Sequence, residues 1–186
     1  MQTLILNGSP KTNGDTTALI DELTTHLEGE IKTISIRNSI SSCVDCRYCW
    51  NNIGCTVNDE MQEVYKFLET CDNIVFASPI WYSSLSGPML NLASRIQSIW
   101  AAGYFQNKPI PLKEKQGVLI IVGAQPKTKH IPTQTALSIM KNFGVNQSTI
   151  IKIYSLNTDK LPAWLDETAL KHCREAARLL NFNGSG

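Results

Sequence analysis

Five short apolar runs, at residues 3–7, 31–36, 73–77, 117–123 and 149–154, constrain this chain more than any other feature. Stretches with helical rather than strand periodicity separate them. Parallel strands need a long crossover, usually a helix, so the alternation predicts a parallel sheet built from strand–helix–strand units. The fourth run contains Val118-Leu119-Ile120-Ile121-Val122, apolar at odd and even positions alike. A strand of that kind is buried on both faces, so helices must cover both sides of the sheet.

Right-handed crossovers then leave few topologies. The natural candidate is an α/β, flavodoxin-like, doubly wound five-stranded parallel sheet in the order 2-1-3-4-5. The expected helices are 16–27, one from about residue 59, one opening at Ser86-Gly87-Pro88, 133–143 and 165–180. The third carries Met89, Leu92, Ala93, Ile96 and Trp100 on one predicted apolar face, and the fourth ends at Gly144, a favourable residue just past a helix. Residues 103–116 read as a loop. No repeat or linker interrupts the pattern, so residues 1–182 are predicted to form one domain, with 183–186 a disordered tail.

The 17 Lys and Arg against 16 Asp and Glu give a formal net charge of +1, with no basic face of the kind that nucleic acids select. The N-terminus lacks a signal-peptide pattern, and the longest apolar run is far too short to cross a membrane. A cytoplasmic location with no membrane and no nucleic-acid partner is the expectation. Thiols stay reduced there, so six cysteines point to metal or redox chemistry rather than disulfides.

The first run opens into Asn7-Gly8-Ser9-Pro10-Lys11-Thr12-Asn13-Gly14-Asp15-Thr16-Thr17. Glycines allow close backbone approach, and hydroxyls and free amides at a helix start suit a phosphate monoester. It is neither a Walker motif nor a dinucleotide fingerprint. The third run ends in Ser78-Pro79-Ile80-Trp81-Tyr82-Ser83-Ser84, an aromatic pair among small polar residues that suits the edge and face of a planar ring. In the predicted topology this loop neighbours the first at the switch point, where such folds bind ligands.

Four cysteines, Cys43, Cys46, Cys49 and Cys55, follow C-x2-C-x2-C-x5-C. Two-residue gaps let thiolates converge on one centre, and Gly54 lets the chain turn back to supply a fourth. The spacing admits a 4Fe–4S cluster, zinc, or free thiols; it lacks the separated pairs of most structural zinc sites. Cys71 and Cys173 fall in predicted helices and read as core or surface thiols. His26, His130 and His172 form no spaced pair, and no nucleophile motif of the G-x-S-x-G kind is present.

Jointly, these pieces resemble the flavodoxin-like NAD(P)H-dependent FMN reductases, and more closely their iron–sulfur flavoprotein branch. The resemblance rests on Asn7 to Lys11, Asn13-Gly14, Thr16-Thr17, the cysteine set, Asp59-Glu60-Met61, the segment from Asp72 to Tyr82, Ser86-Gly87-Pro88-Met89 and Arg95. It implies that Ser9, Lys11, Asn13, Asp15, Thr16 and Thr17 surround an FMN phosphate. Pro79, Ile80, Trp81, Tyr82, Ser83 and Ser84 would line the flavin ring, and Gly123 and Ala124 a third flavin loop. Two departures stand out. Asp15 replaces a common neutral Asn, and its carboxylate repels a phosphate unless it turns away. Ser94 precedes Arg95 where an acid is common, so that arginine needs another partner.

The implied activity is an FMN-dependent oxidoreductase passing electrons from NAD(P)H to a quinone, flavin, nitro compound or similar acceptor. The flavin carries the chemistry, so no side chain is expected to be catalytic. The alternative is an iron–sulfur flavoprotein electron carrier, with a cluster on Cys43, Cys46, Cys49 and Cys55 and a ferredoxin-like partner. A homodimer or homotetramer is expected, because one short domain has few loops with which to wall the ring.

Overall fold

The computed structural model describes residues 1–37 and 39–183. The elements run β1 (Gln2–Asn7), α1 (Asp15–Thr25), β2 (Glu30–Ser35), α2 (Tyr48–Asn51), α3 (Met61–Thr70), β3 (Asn73–Trp81), β4 (Ser84–Leu85), α4 (Gly87–Arg95), α5 (Gln97–Gln106), β5 (Gln116–Val122), α6 (His130–Asn142), β6 (Ile151–Ser155) and α7 (Glu167–Asn183). The main sheet is parallel in the order β2-β1-β3-β5-β6, and β4 folds back antiparallel on the end of β3. Counting the five principal strands, this is the expected 2-1-3-4-5 order. Of the predicted tail, Asn183 still belongs to α7, and 184–186 lie outside the described residues.

The two-sided burial read from β5 holds residue by residue. Leu119 and Ile121 join the core under α3, α4 and α6, with Leu68, Leu92 and Met140. Val118, Ile120 and Val122 join the opposite core under α1 and α7, with Leu23, Ala176 and Leu180. Each fully buried aliphatic side chain contributes roughly 1.5–3 kcal/mol. On the second face, Arg174 on α7 donates to Glu22 on α1 at 2.6 Å, a half-exposed pair whose contribution to stability is small.

The third helix departs from expectation. It breaks at Ile96 into α4 and α5, and α5 continues to Gln106, into the stretch read as loop. Met89, Leu92 and Ile96 are buried as predicted, but Trp100 is 48% exposed. Trp100 stacks on Tyr104 at 4.6 Å, and Phe105 stacks on Trp50 of α2 at 4.4 Å. The aromatic face of α5 therefore serves contact with the cysteine loop, while Ile99 packs on the core. The helix expected from 133 begins three residues earlier, after a short 3-10 turn at Pro126–Lys129; Pro132 sits in its first turn, where proline is tolerated. Gly144, with φ of 83°, follows its end as read.

Ser86 ties these elements together. It is fully buried, its Oγ accepts from Met89 N at the start of α4, and it donates to Gly8 O at 2.7 Å. Gly8 N donates in turn to Ala77 O. An added Cβ at Gly8 would lie 3.0 Å from the Ser86 hydroxyl and from Met89, so the glycine permits this close approach. Ser86→Ala removes a helix cap and strands a buried carbonyl. It should lower unfolding free energy by about 2 kcal/mol in urea denaturation; a loss under about 0.5 kcal/mol would show that the joint is not structural.

Candidate functional site

Two neighbouring sites emerge, one at the carboxyl ends of the strands and one under the cysteine loop. At the first, the chain leaving β1 folds on itself. Asn7 Oδ1 accepts from Ser9 N at 2.9 Å, Ser9 Oγ accepts from Lys11 N at 3.2 Å, and Thr17 Oγ1 donates to Lys11 O at 3.4 Å. Gly14 then starts α1 with no side-chain cap. The first-turn amides have no intrahelical acceptor, and the helix dipole adds positive potential there.

These amides border a cavity of about 280 Å³ that gathers all three predicted loops. Ser9, Lys11, Asp15 and Thr16 line it from the first loop, Pro79, Ile80 and Trp81 from the second, and Gly123 and Ala124 from the third. A Cβ on Gly123 would press on Ile80 at 3.0 Å, so glycine lets the last two loops meet. Asn13, Thr17, Tyr82, Ser83 and Ser84 do not line the cavity. Thr17 instead braces Lys11. Tyr82 and Ser83 form the two-residue turn joining β3 to β4, with φ of 49° and 58°, and the Tyr82 side chain is fully exposed. Such hairpin turns favour Asn-Gly; two non-glycine residues with positive φ mark stored strain.

The carboxylate of Asp15 borders the cavity and accepts from Ala163 N at 2.7 Å, on the 3-10 turn before α7. Thr158 also lines the cavity and was not anticipated. It follows β6 and donates its amide to Gly123 O. Its only sequence signal is position: it lies just past the carboxyl end of a strand.

The second site is a cavity of about 480 Å³ whose wall includes Cys43, Cys46, Cys49 and Cys55 together. The loop that carries them contains the short helix α2 and turns through Asp45, Arg47 and Gly54, all with positive φ. Polar side chains hold its backbone at several points. Ser94 Oγ accepts from Cys43 N at 2.8 Å, Gln106 donates to Cys49 O at 2.9 Å, and Gln62 donates to Cys55 O at 3.0 Å. Trp50, Trp100 and Phe105 complete the wall, with Arg47 lying 4.7 Å over the Trp50 ring.

Arg95 has found its partner. Its guanidinium donates to Asp59 Oδ2 at 2.8 Å, to Ser41 O at 3.1 Å and to Val57 O at 3.2 Å, and the side chain is 1% exposed. The acid comes from the residue after the cysteine loop, not from the position before the arginine. Burial opposes the arginine's charge, but Asp59 and the adjacent Cys55 outweigh it and hold its pKa above the ordinary value. Burial pushes the Cys49 thiol up, and the proximity of Cys55, Cys43 and Cys46 adds to the effect. Cys71 and Cys173 are core thiols, both buried, with their pKa values pushed up to about 11 and about 12 by desolvation. Cys71 sits just past α3 rather than within it.

The donor chemistry fits a thiolate-bound centre: four sulfurs share one cavity beside a buried cation. Among the described residues, however, no three Cys, His, Asp or Glu side chains are gathered closely enough to hold a metal ion as they stand.

Although burial raises the Asp59 carboxyl, bonds from Arg95, Ser41 and Met61 prevail and hold it below the ordinary carboxylate range. A folded-state pKa below the unfolded one stabilises fully above the ordinary value, and that stability is lost as pH falls through the depressed value. The difference in unfolding free energy between wild type and Asp59→Asn should thus be greatest near pH 7 and shrink below about pH 4. An unchanged difference at pH 3 would show that the charge of Asp59 is not what matters.

Among the described residues, no helix is long and apolar enough to cross a membrane. Compared with known proteins, the chain is 26% identical over 155 residues to an iron–sulfur flavoprotein of Methanocaldococcus jannaschii, covering 81% of this chain and 75% of that one. A second iron–sulfur flavoprotein of the same organism is 29% identical over 66% of this chain, which spans 62% of that protein. The NAD(P)H:quinone oxidoreductase of Methanothermobacter marburgensis superimposes with a TM-score of 0.72 at 16% identity, over 96% of this chain and 94% of that one, a likeness of fold. Residues 1–150, most of the chain, match the family model of the NADPH-dependent FMN reductases, and on that match the chain belongs to that family.

Proposed function

We propose that this protein is an FMN-dependent oxidoreductase that takes electrons from NAD(P)H and passes them to a small acceptor such as a quinone, flavin or nitro compound. The observation that carries the reading is the uncapped start of α1 meeting the Pro79–Trp81 and Gly123–Ala124 loops in one cavity. Bound FMN would supply hydride acceptance and onward electron transfer. The protein's part is to hold and orient. The α1 amides, Ser9 and Thr16 would bind the phosphate, with Lys11 nearby as a cation. Pro79, Ile80 and Trp81 would wall the ring on one side and Gly123 and Ala124 on another. Asp15 would have its carboxylate held by the Ala163 amide, which offsets part of its charge.

The division between lining and bracing residues makes the reading testable. A hydrogen bond to a charged group contributes roughly 1.5–3 kcal/mol. Thr16→Val should therefore weaken FMN binding by about tenfold or more in a fluorescence titration, and Thr17→Val by clearly less. NADPH should bleach the bound flavin anaerobically. Equal FMN affinity in wild type and Thr16→Val would put the phosphate elsewhere; a flavin that NADPH does not bleach would favour a carrier over an enzyme.

A second reading has its own observation, the four cysteines around one cavity. In it, Cys43, Cys46, Cys49 and Cys55 hold a 4Fe–4S cluster, and the protein exchanges single electrons with a ferredoxin-like partner. Gathering the sulfurs as ligands requires them to come closer than they stand. Iron content after anaerobic reconstitution tests this. Each Cys→Ser change in the set should lose iron to a similar degree, whereas Cys71→Ser and Cys173→Ser should keep it. Wild-type protein that takes up no iron removes this reading and leaves the flavin reading intact.

Exposed aromatics on α5 and the adjoining loop, Trp100 and Tyr104 among them, support assembly as a homodimer or homotetramer through that face. Light scattering at micromolar concentration should show at least a dimer; a flavin-loaded monomer would contradict it.

A further inference from the structure

The wall of the strand-end cavity carries two charged side chains, Lys11 and Asp15. Lys11 is exposed, whereas Asp15 is half-buried. Water and salt screen an exposed ammonium more than a carboxylate set against the protein, so the cation does not outweigh the anion. The Ser9 hydroxyl is already engaged within its own loop. Its Oγ accepts from Lys11 N at 3.2 Å and donates to Lys11 O at 3.4 Å, and the side chain is almost fully buried. Asp15 is the acidic residue in the first turn of α1. Its charge there takes up part of the positive potential that the helix start offers to any other anion. The bond from Ala163 N, a fully buried residue, tethers the carboxylate in this place.

We propose that Asp15 sets the phosphate selectivity of this cavity, opposing a flavin's phosphate so that FMN is preferred over riboflavin by less than about tenfold. The inference rests on the flavin reading and deepens it. Recognition then falls on the ring, between Pro79–Trp81 and Gly123–Ala124, and the phosphate adds little net affinity. A phosphate monoester carries about −1.5 to −2 charge at pH 7. The α1 amides, Ser9 and Thr16 attract that charge and the carboxylate repels it, so the contributions offset. Specificity is a difference of affinities, and a like charge set against one ligand is a direct way to remove it. Asp15 also ties the turn before α7 to the start of α1. That bracing acts on FMN and riboflavin alike and drops out of the ratio of their affinities.

The test is the ratio of the riboflavin to the FMN dissociation constant, each from a fluorescence titration of the full chain stripped of flavin. Asp15→Asn removes the charge and keeps an oxygen for the Ala163 amide. It should raise the ratio about tenfold, tightening FMN and leaving riboflavin unchanged. Asp15→Glu keeps the charge and should leave the ratio near the wild-type value. Asp15→Ser, also neutral, is read instead if the asparagine variant does not fold. If the wild type binds neither flavin, the flavin reading fails and takes this inference with it. If the wild type binds both and the neutral variant leaves the ratio unchanged, the inference alone is overturned. An equal gain for both flavins would make Asp15 a brace only, and a lower ratio would make its carboxylate part of the phosphate's hold. A wild-type preference for FMN of about a hundredfold or more would leave no opposing charge to explain. Each of these three results overturns the inference and leaves the flavin reading standing.

Discussion

The parallel pairing of five strands is the constraint from which the rest follows. Each parallel pair requires its connection to cross a face of the sheet, so both faces are covered and β5 is apolar at every core position. The same direction of travel delivers the loops after β1, β3 and β5 to one edge. β1 and β3 are adjacent although β2 lies between them in sequence, because the chain reverses its winding there. The crevice at that reversal is where such sheets place ligands. The cavity bordered by Ser9, Thr16, Pro79 and Gly123 is a consequence of strand order before it is a matter of side chains.

This explains which parts were legible in the sequence. Residue periodicity reports on burial, so strands and helices packed on the sheet could be read. Three loops of the first site could be placed because they follow strands. Failures occurred where an apolar pattern served something other than the sheet. Trp100 continues the spacing of Met89, Leu92 and Ile96, yet the helix breaks at Ile96 and the tryptophan stacks with Tyr104 near the cysteine loop. Thr158 carried no chemical signal, only a position after β6. Thr17 and Tyr82 lie off the cavity wall; a motif gives residue types near a ligand, not which of them turn inward.

The two departures from the family pattern were both long-range substitutions of partner. Asp15 lies among sequence neighbours that suggest a phosphate, and its hydrogen-bond partner is Ala163, 148 residues away. Arg95 looked unpaired because the position before it is a serine, but Asp59 supplies the acid from 36 residues upstream. The serine then serves elsewhere, receiving Cys43 N. No local reading finds such pairs, since they exist only after the sheet has brought α4 beside the cysteine loop.

That helix gives the two sites a common frame. At its start, Ser86 bonds to Gly8 O and fixes the first loop; at its end, Ser94 and Arg95 hold the cysteine loop. Nine helical residues at about 1.5 Å each separate the two anchors by roughly 13 Å along the axis. A helix packed through Met89 and Leu92 against the core cannot stretch or shorten, so neither site can move along that axis without the other. The break at Ile96 separates this frame from the aromatic face of α5. The spacing between the sites is therefore set by core packing.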